Sequence, residues 1–156
     1  MTQTTADTIY QQYLDVATRL FWSKQWDDLA GLIVLPGAIH SPNGTYHVST
    51  QSELIETFRT QHESLQRNGA TEFHRICLRA EFDKHARHSI TGVHKTYALN
   101  GGGYVVPPYE NTMALTLEDG TWKANGIRSS VPNEVLSLHP LGSDLQADLN
   151  SGDAAR

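Results

Sequence analysis

Residues 70–130 read ATEFHRICLRAEFDKHARHSITGVHKTYALNGGGYVVPPYENTMALTLEDGTWKANGIRSS. Turn-forming residues divide this stretch at Asp83-Lys84-His85, Asn100-Gly101-Gly102-Gly103 and Asp119-Gly120. Between them apolar and polar residues alternate with period two, the mark of strands that turn one face to a core. The stretch therefore reads as a four-stranded antiparallel meander. On its first strand the even positions His74, Ile76, Leu78, Ala80 and Phe82 share a face, opposed by Arg75, Arg79 and Glu81. On the second, Ile90, Gly92, His94, Thr96 and Ala98 share a face. On the third, Tyr109, Asn111, Met113, Leu115 and Leu117 point one way, and Glu110, Thr112, Thr116 and Glu118 the other.

Turn chemistry sets an expected register. Pairing Phe82 near Ala86 across the first turn brings His74 opposite His94. Pairing Leu99 with Tyr104 across the glycines brings His94 opposite Tyr109, and Asn111 opposite Gly92. Asp119-Gly120 suits a two-residue type I′ hairpin, which needs positive φ at both central positions. That places Glu118 opposite Thr121, Leu117 opposite Trp122 and Asn111 opposite Arg128. In this register His74, His94, Tyr109, Asn111 and Arg128 converge on one polar patch, with Phe82, Leu117 and Trp122 at the greasy end of the same face. A slip of one residue turns a strand inside out, so the patch needs every register to hold.

Upstream, residues from Thr5 to Lys24 have helical periodicity in Ile9, Tyr13, Val16, Ala17 and Leu20, flanked by Tyr10, Leu14 and Phe21. A short second helix follows over Trp26 to Leu32. Ala38 to Ser41 and Tyr46 to Val48 flank a Pro42-Asn43-Gly44 turn and read as a short hairpin. Thr50 with Glu53 makes a capping box for a third helix, with Leu54, Ile55, Phe58, His62 and Leu65 as its stripe and Asn68-Gly69 as its stop. After Ser130, Val131 to Leu138 is placed to cover the sheet. The expected fold class is α+β: three N-terminal helices packed on a curved, mostly antiparallel sheet, as a cone-shaped α+β barrel. Residues 5–138 make one domain, and 139–156 a polar, flexible tail.

The chain of 156 residues carries a formal charge of −5 and a single cysteine, Cys77. The acidic balance offers no basic surface for phosphates, so no nucleic-acid partner is expected. No apolar run approaches the ~20 residues that span a bilayer. The N-terminus lacks a basic region and an apolar core, which points away from a signal peptide and toward a cytoplasmic protein. Cys77 cannot form an internal disulfide and reads as a packed thiol. Eight histidines are present, yet none sits with a second and third ligand at metal spacing. No phosphate loop, dinucleotide fingerprint or nucleophile elbow occurs, so no cofactor is expected.

Each patch residue has a chemical and a structural reading. A neutral imidazole at His74 can take and return a proton near neutral pH, with His94 as a second acid–base group. Either is equally the core histidine that satisfies one ring nitrogen. Asn111 can donate to a carbonyl and stabilise an enolate, or simply fix strand register. Tyr109, behind Pro107-Pro108, is a phenolic acid or an aromatic wall. Arg128 holds an anionic group, or pairs with a carboxylate such as Asp15 or Glu134. Phe21, Trp22 and Met113 supply apolar walls. Phe73, Cys77, Val93 and Tyr97, on the odd faces, suggest that the outside of the sheet meets another copy in a homodimer or homotrimer.

The order helix, helix, hairpin, helix, four-strand meander resembles the nuclear transport factor 2-like superfamily in its SnoaL-like branch. The nearest resemblance is to scytalone dehydratase. Phe21-Trp22-Ser23-Lys24-Gln25-Trp26-Asp27-Asp28-Leu29 is similar to that family's junction of its first two helices. His74 falls at a pocket histidine, Ile90-Thr91-Gly92-Val93-His94 at its fourth strand, Asn111 at a pocket asparagine, and Asp119-Gly120-Thr121-Trp122-Lys123 at its last hairpin. Departures are specific. Phe21-Trp22 stands where the dehydratases have a water-polarising Tyr-Asp pair, and Asn100 where they have a second histidine. The resemblance implies a cofactor-independent lyase or isomerase that uses general acid–base histidine chemistry next to a carbonyl of a cyclic or aromatic substrate, with a small hydrophobic or aromatic molecule as its ligand. The missing carboxylate implies the alternatives, a binding module without chemistry or a structural subunit like the β subunits of ring-hydroxylating oxygenases.

Overall fold

The computed structural model describes residues 4–42 and 44–130. Helix α1 runs over Ala6–Trp22, capped by the Thr5 side chain, which accepts from the Thr8 amide at 3.1 Å. Its buried residues are Ala6, Tyr10, Tyr13, Leu14, Ala17, Leu20 and Phe21, so the inward stripe is centred on Tyr10, Leu14 and Ala17. A short α2 (Trp26–Ala30) and the hairpin β1 (Gly37–Ser41) and β2 (Gly44–Val48) follow. Helix α3 (Gln51–Arg67) opens with the expected capping box of Thr50 and Glu53. The meander is β3 (Glu72–Asp83), β4 (Ala86–Asn100), β5 (Gly103–Glu118) and β6 (Thr121–Ser129).

The six strands form one sheet in the order β2-β1-β6-β5-β4-β3. All neighbours are antiparallel except β1 and β6, which pair in parallel through Ile39↔Ile127 and His40↔Arg128. The helices cover one face. The main core joins Tyr10, Leu14, Ala17 and Phe21 of α1 to Ile90, Met113, Leu115 and Ala124 of the sheet. A smaller core joins Ala30, Tyr46, Val48 and Leu54.

Register departs from expectation at three places, each with a physical cause. Both hairpins expected from Leu99↔Tyr104 and Leu117↔Trp122 are present. Beyond the glycine turn, β5 carries extra residues where Val105 to Pro108 oppose Ala98 and its neighbours, so Thr96, not His94, faces Tyr109. Pro107 and Pro108 cannot donate to a ladder, and prolines within sheets sit at bulges. Beyond the Asp-Gly turn, β6 carries one extra residue between Ala124 and Ile127, where Gly126 has φ +97°. Asn111 consequently faces Ser129, and Arg128 faces Thr112.

The third departure is the largest. Phe82 pairs with Ile90, and Leu78 is an extra residue between Cys77↔His94 and Arg79↔Val93. Parity therefore changes within β3: Phe73, Arg75 and Cys77 turn inward on one side of the bulge, Ala80 and Phe82 on the other. Ile76 and Leu78 are left outside, 47% and 45% exposed. The odd-face pair Phe73 and Cys77 thus packs on the core and does not form an outer surface. The edge of β3 is sealed by α1. Gln11 accepts from the Cys77 amide at 2.7 Å and donates to the Arg75 carbonyl at 3.0 Å, and Asp7 accepts from the Ala80 amide at 2.8 Å.

Candidate site: a cavity beneath the helices

Between the helices and the concave face of the sheet lies a cavity of about 200 Å³. Its apolar wall includes Phe21, Leu29, Leu54, Phe58, Met113 and Ile127. Asn68, which caps α3 and is exposed, lies at its rim. The helices add Tyr13, Gln61 and Ser64 to its polar lining, and the sheet contributes from two rows that cross it. Arg75, Thr96 and Tyr109 are cross-strand partners on β3, β4 and β5. One step along, Cys77, His94, Asn111 and Ser129 form the second row on β3 through β6. Arg75, Thr96, Tyr109, Asn111 and Ser129 reach the cavity.

Within the second row, His94 is fully buried but does not line the cavity. Its Nδ1 is hydrogen bonded to the Tyr10 hydroxyl at 2.7 Å, and its Nε2 has no partner. Burial, with the Arg75 guanidinium nearby, pushes its pKa down to about 3, so it is neutral. Burial also raises the Tyr10 phenol. Asn111, 7% exposed, lines the cavity with an unpartnered Oδ1. Burial raises the Tyr109 phenol against the pull of Arg75. Tyr13 is pushed up to about 12 by burial, and its hydroxyl donates to the Leu32 carbonyl at 2.8 Å.

Four of the expected site residues, Phe21, Met113, Tyr109 and Asn111, line this cavity. His94 stands behind it. Trp22 stacks on Phe73 with ring centroids 6.1 Å apart and accepts at its carbonyl from His62 Nε2 at 3.2 Å, outside the cavity lining. His74 is on the other side of the sheet. The change of parity in β3 turns it outward, half in solvent, where Nε2 meets Glu72 Oε1 at 3.1 Å. The expected His74–His94 pair is therefore not formed: His74 faces Tyr97, and His94 faces Cys77. Arg128 is likewise turned outward, by the Gly126 bulge, and is exposed. Asp15 accepts from Gln11 instead, and Glu134 lies outside the described residues, as do Val131 to Leu138 and the 139–156 tail.

Arg75, Thr96 and Ser129 belong to the site but did not stand out in the sequence. The available signal was Phe73-x-Arg75-x-Cys77, a second apolar alternation out of phase with the even one. Among the described residues no group of three His, Cys, Asp or Glu side chains is placed to hold a metal ion, and no helix is long and apolar enough to cross a membrane.

No protein-family model matches the chain, and no curated protein sequence matches it. Solved structures match it in shape. A cystatin-like domain of unknown function from Nostoc punctiforme superposes with a TM-score of 0.61 at 11% identity, over 82% of this chain and 78% of its own. Aln2 from a Streptomyces species gives 0.61 at 10% identity, over 86% and 98%. An NTF2-like protein of unknown function from Shewanella oneidensis gives 0.59 at 12% identity, over 77% and 94%. Three helices on a curved six-stranded sheet, together with these neighbours, give this chain the NTF2-like cone fold.

Proposed function

We propose that the protein binds a small, mostly apolar molecule in the cavity beneath its helices. The observation that carries this reading is Asn111: a buried carboxamide whose Oδ1 has no partner, at the wall of an apolar hollow. A buried polar group without a partner is costly, and a ligand that bonds to it removes the cost. Size supports one ring with substituents, since an apolar cavity of ~150 Å³ accepts benzene.

Binding without chemistry is favoured over the dehydratase-like reading. The titratable groups that line the cavity among the described residues are Tyr13, Arg75 and Tyr109, two raised phenols and a cation. None is a proton acceptor at neutral pH. His94, neutral with a pKa near 3, is too weak a base for abstraction next to a carbonyl and is screened by Tyr10. His74, the base that the resemblance to scytalone dehydratase suggests, faces away.

The test is to titrate single-ring phenols and ketones into the protein by ligand-observed NMR and to analyse the same mixtures by mass spectrometry. Saturable binding with the ligand recovered unchanged supports the reading. Catalytic conversion of any of them supports the lyase or isomerase alternative instead, and failure of these and of single-ring aromatic acids and amides to bind overturns the pocket.

A further inference from the structure

Arg75 is the one charged side chain among the described residues that line the cavity. Its Nε donates to Thr18 Oγ1 at 2.9 Å, which fixes the plane of the guanidinium. No described carboxylate pairs with it: the ion pairs among the described residues join Arg59 to Glu56, His74 to Glu72 and Lys123 to Glu118. Asp15, on the neighbouring helix, is engaged by Gln11 Nε2 at 2.9 Å. The phenols Tyr13, Tyr109 and Tyr10, raised by burial, and neutral His94 act on Arg75, which on its outer side also shares an open groove with Asp15, Thr18, Arg19 and His74. Among the described residues lining the cavity the cation therefore has no counter-charge.

Arg75 is half-buried, and burial lowers its pKa, so its guanidinium has given up part of its hydration with no described anion in return. Two features make this one suited to a ligand. First, a guanidinium held through Nε keeps its Nη atoms for bidentate recognition of a planar acid group. Second, Arg75, Thr96 and Tyr109 stand side by side on strands about 4.8 Å apart, so guanidinium, hydroxyl and phenol can share one acid group. The Asn111 Oδ1 acceptor sits in the next row, roughly 7 Å along the strand direction. An acid at the first row would thus leave a ring's breadth to a hydroxyl that donates to Asn111.

We infer that the cavity takes a hydroxylated aromatic carboxylate, with the carboxylate on Arg75 and Tyr109, the ring against Phe21 and Met113, and the hydroxyl on Asn111. This inference rests on the pocket reading above and adds the charge and polarity of the ligand.

The probes are two matched pairs, 4-hydroxybenzoate with 4-hydroxybenzamide and 4-hydroxycinnamate with 4-hydroxycinnamamide, titrated into the full chain by calorimetry or NMR. The acid of at least one pair is expected to bind about tenfold or more tighter than its amide, as for hydrogen bonds to a charged group. Arg75→Gln is expected to abolish that preference, lowering acid affinity about tenfold or more toward that of the amide, and Arg75→Lys to restore part of it. Equal affinity for acid and amide overturns the anion inference and leaves the pocket standing. An acid preference that survives in Arg75→Gln overturns the role of Arg75. Binding of neither acids nor amides, nor of neutral phenols, overturns both. If Arg75→Gln does not fold, the acid-to-amide ratio of the native protein decides.

Discussion

Tyr10 on the first helix and His94 on the fourth strand, far apart in sequence, meet at 2.7 Å between Oη and Nδ1 with both side chains fully buried. This bond ties the helical layer to the centre of the sheet. It also sets a pH response. In the folded chain His94 is held neutral down to about pH 3, whereas in the unfolded chain it titrates at the usual value near 6.5. Above the unfolded value both states are neutral and the residue contributes no slope. As pH falls below it, the unfolded chain takes up a proton that the folded chain does not, so stability declines, by up to about 1.4 kcal/mol per pH unit. Urea denaturation from pH 7.5 to pH 4.5 should show this decline. In His94→Gln that part of the slope should vanish, whatever the variant's absolute stability.

Gly92 lies under the same phenol. A Cβ built there would stand 2.6 Å from Tyr10 Cδ2 and 2.8 Å from Cζ, so ring or strand must move. Gly92→Ala should cost about 1–3 kcal/mol through overpacking. Adding Tyr10→Leu should recover part of that loss in a double-mutant cycle, although Tyr10→Leu alone also leaves His94 Nδ1 without its bond.

Asn111 and His74 should separate cleanly. Asn111→Leu replaces a carboxamide whose Oδ1 is unpartnered with an apolar side chain of similar volume, so unfolding free energy should stay within about 1 kcal/mol of the native value or rise. Ligand affinity should fall at the same time. His74→Ala, outside and half in solvent, should change neither melting temperature by more than about 2 °C nor ligand affinity. Thermal melts with and without a bound probe read both quantities.

Outside the sheet, Ile76 and Leu78 stand exposed on β3 while Val93 and Tyr97 are half-buried on β4. Such a surface is expected to be covered by a second copy, giving a homodimer or homotrimer. Light scattering after size exclusion should report that mass for the native chain. The double variant Ile76→Lys, Leu78→Lys should run as a monomer; a native monomer at micromolar concentration would refute the expectation.

Helix order, the capping box at Thr50 and the three meander turns were legible in the sequence because each depends on local chemistry. Inward faces on β4 and β5 were legible for the same reason, since insertion of two residues before Tyr109 preserves parity. The face of β3 was not. One bulge at Leu78 reverses half of that strand, and two alternations coexist in its residues. The even set holds Ile76 and Leu78, the odd set Phe73 and Cys77, and composition alone does not rank them. What ranks them is the docking of α1, whose Gln11 grips the backbone at Arg75 and Cys77. That single inversion removed His74 from the site and brought Arg75 into it.

The grip of α1 on β3 reaches beyond the cavity. Amides and carbonyls at the rim of a sheet are where stray chains add on, and here Gln11 and Asp7 already occupy those of Arg75, Cys77 and Ala80. Growth of the sheet by a foreign strand is thereby directed to its opposite margin, β2, which is five residues long and leads through Ser49 and Thr50 into α3. The protein thus carries its own plug against fibre-like stacking on the longer side, made from two polar side chains of its first helix.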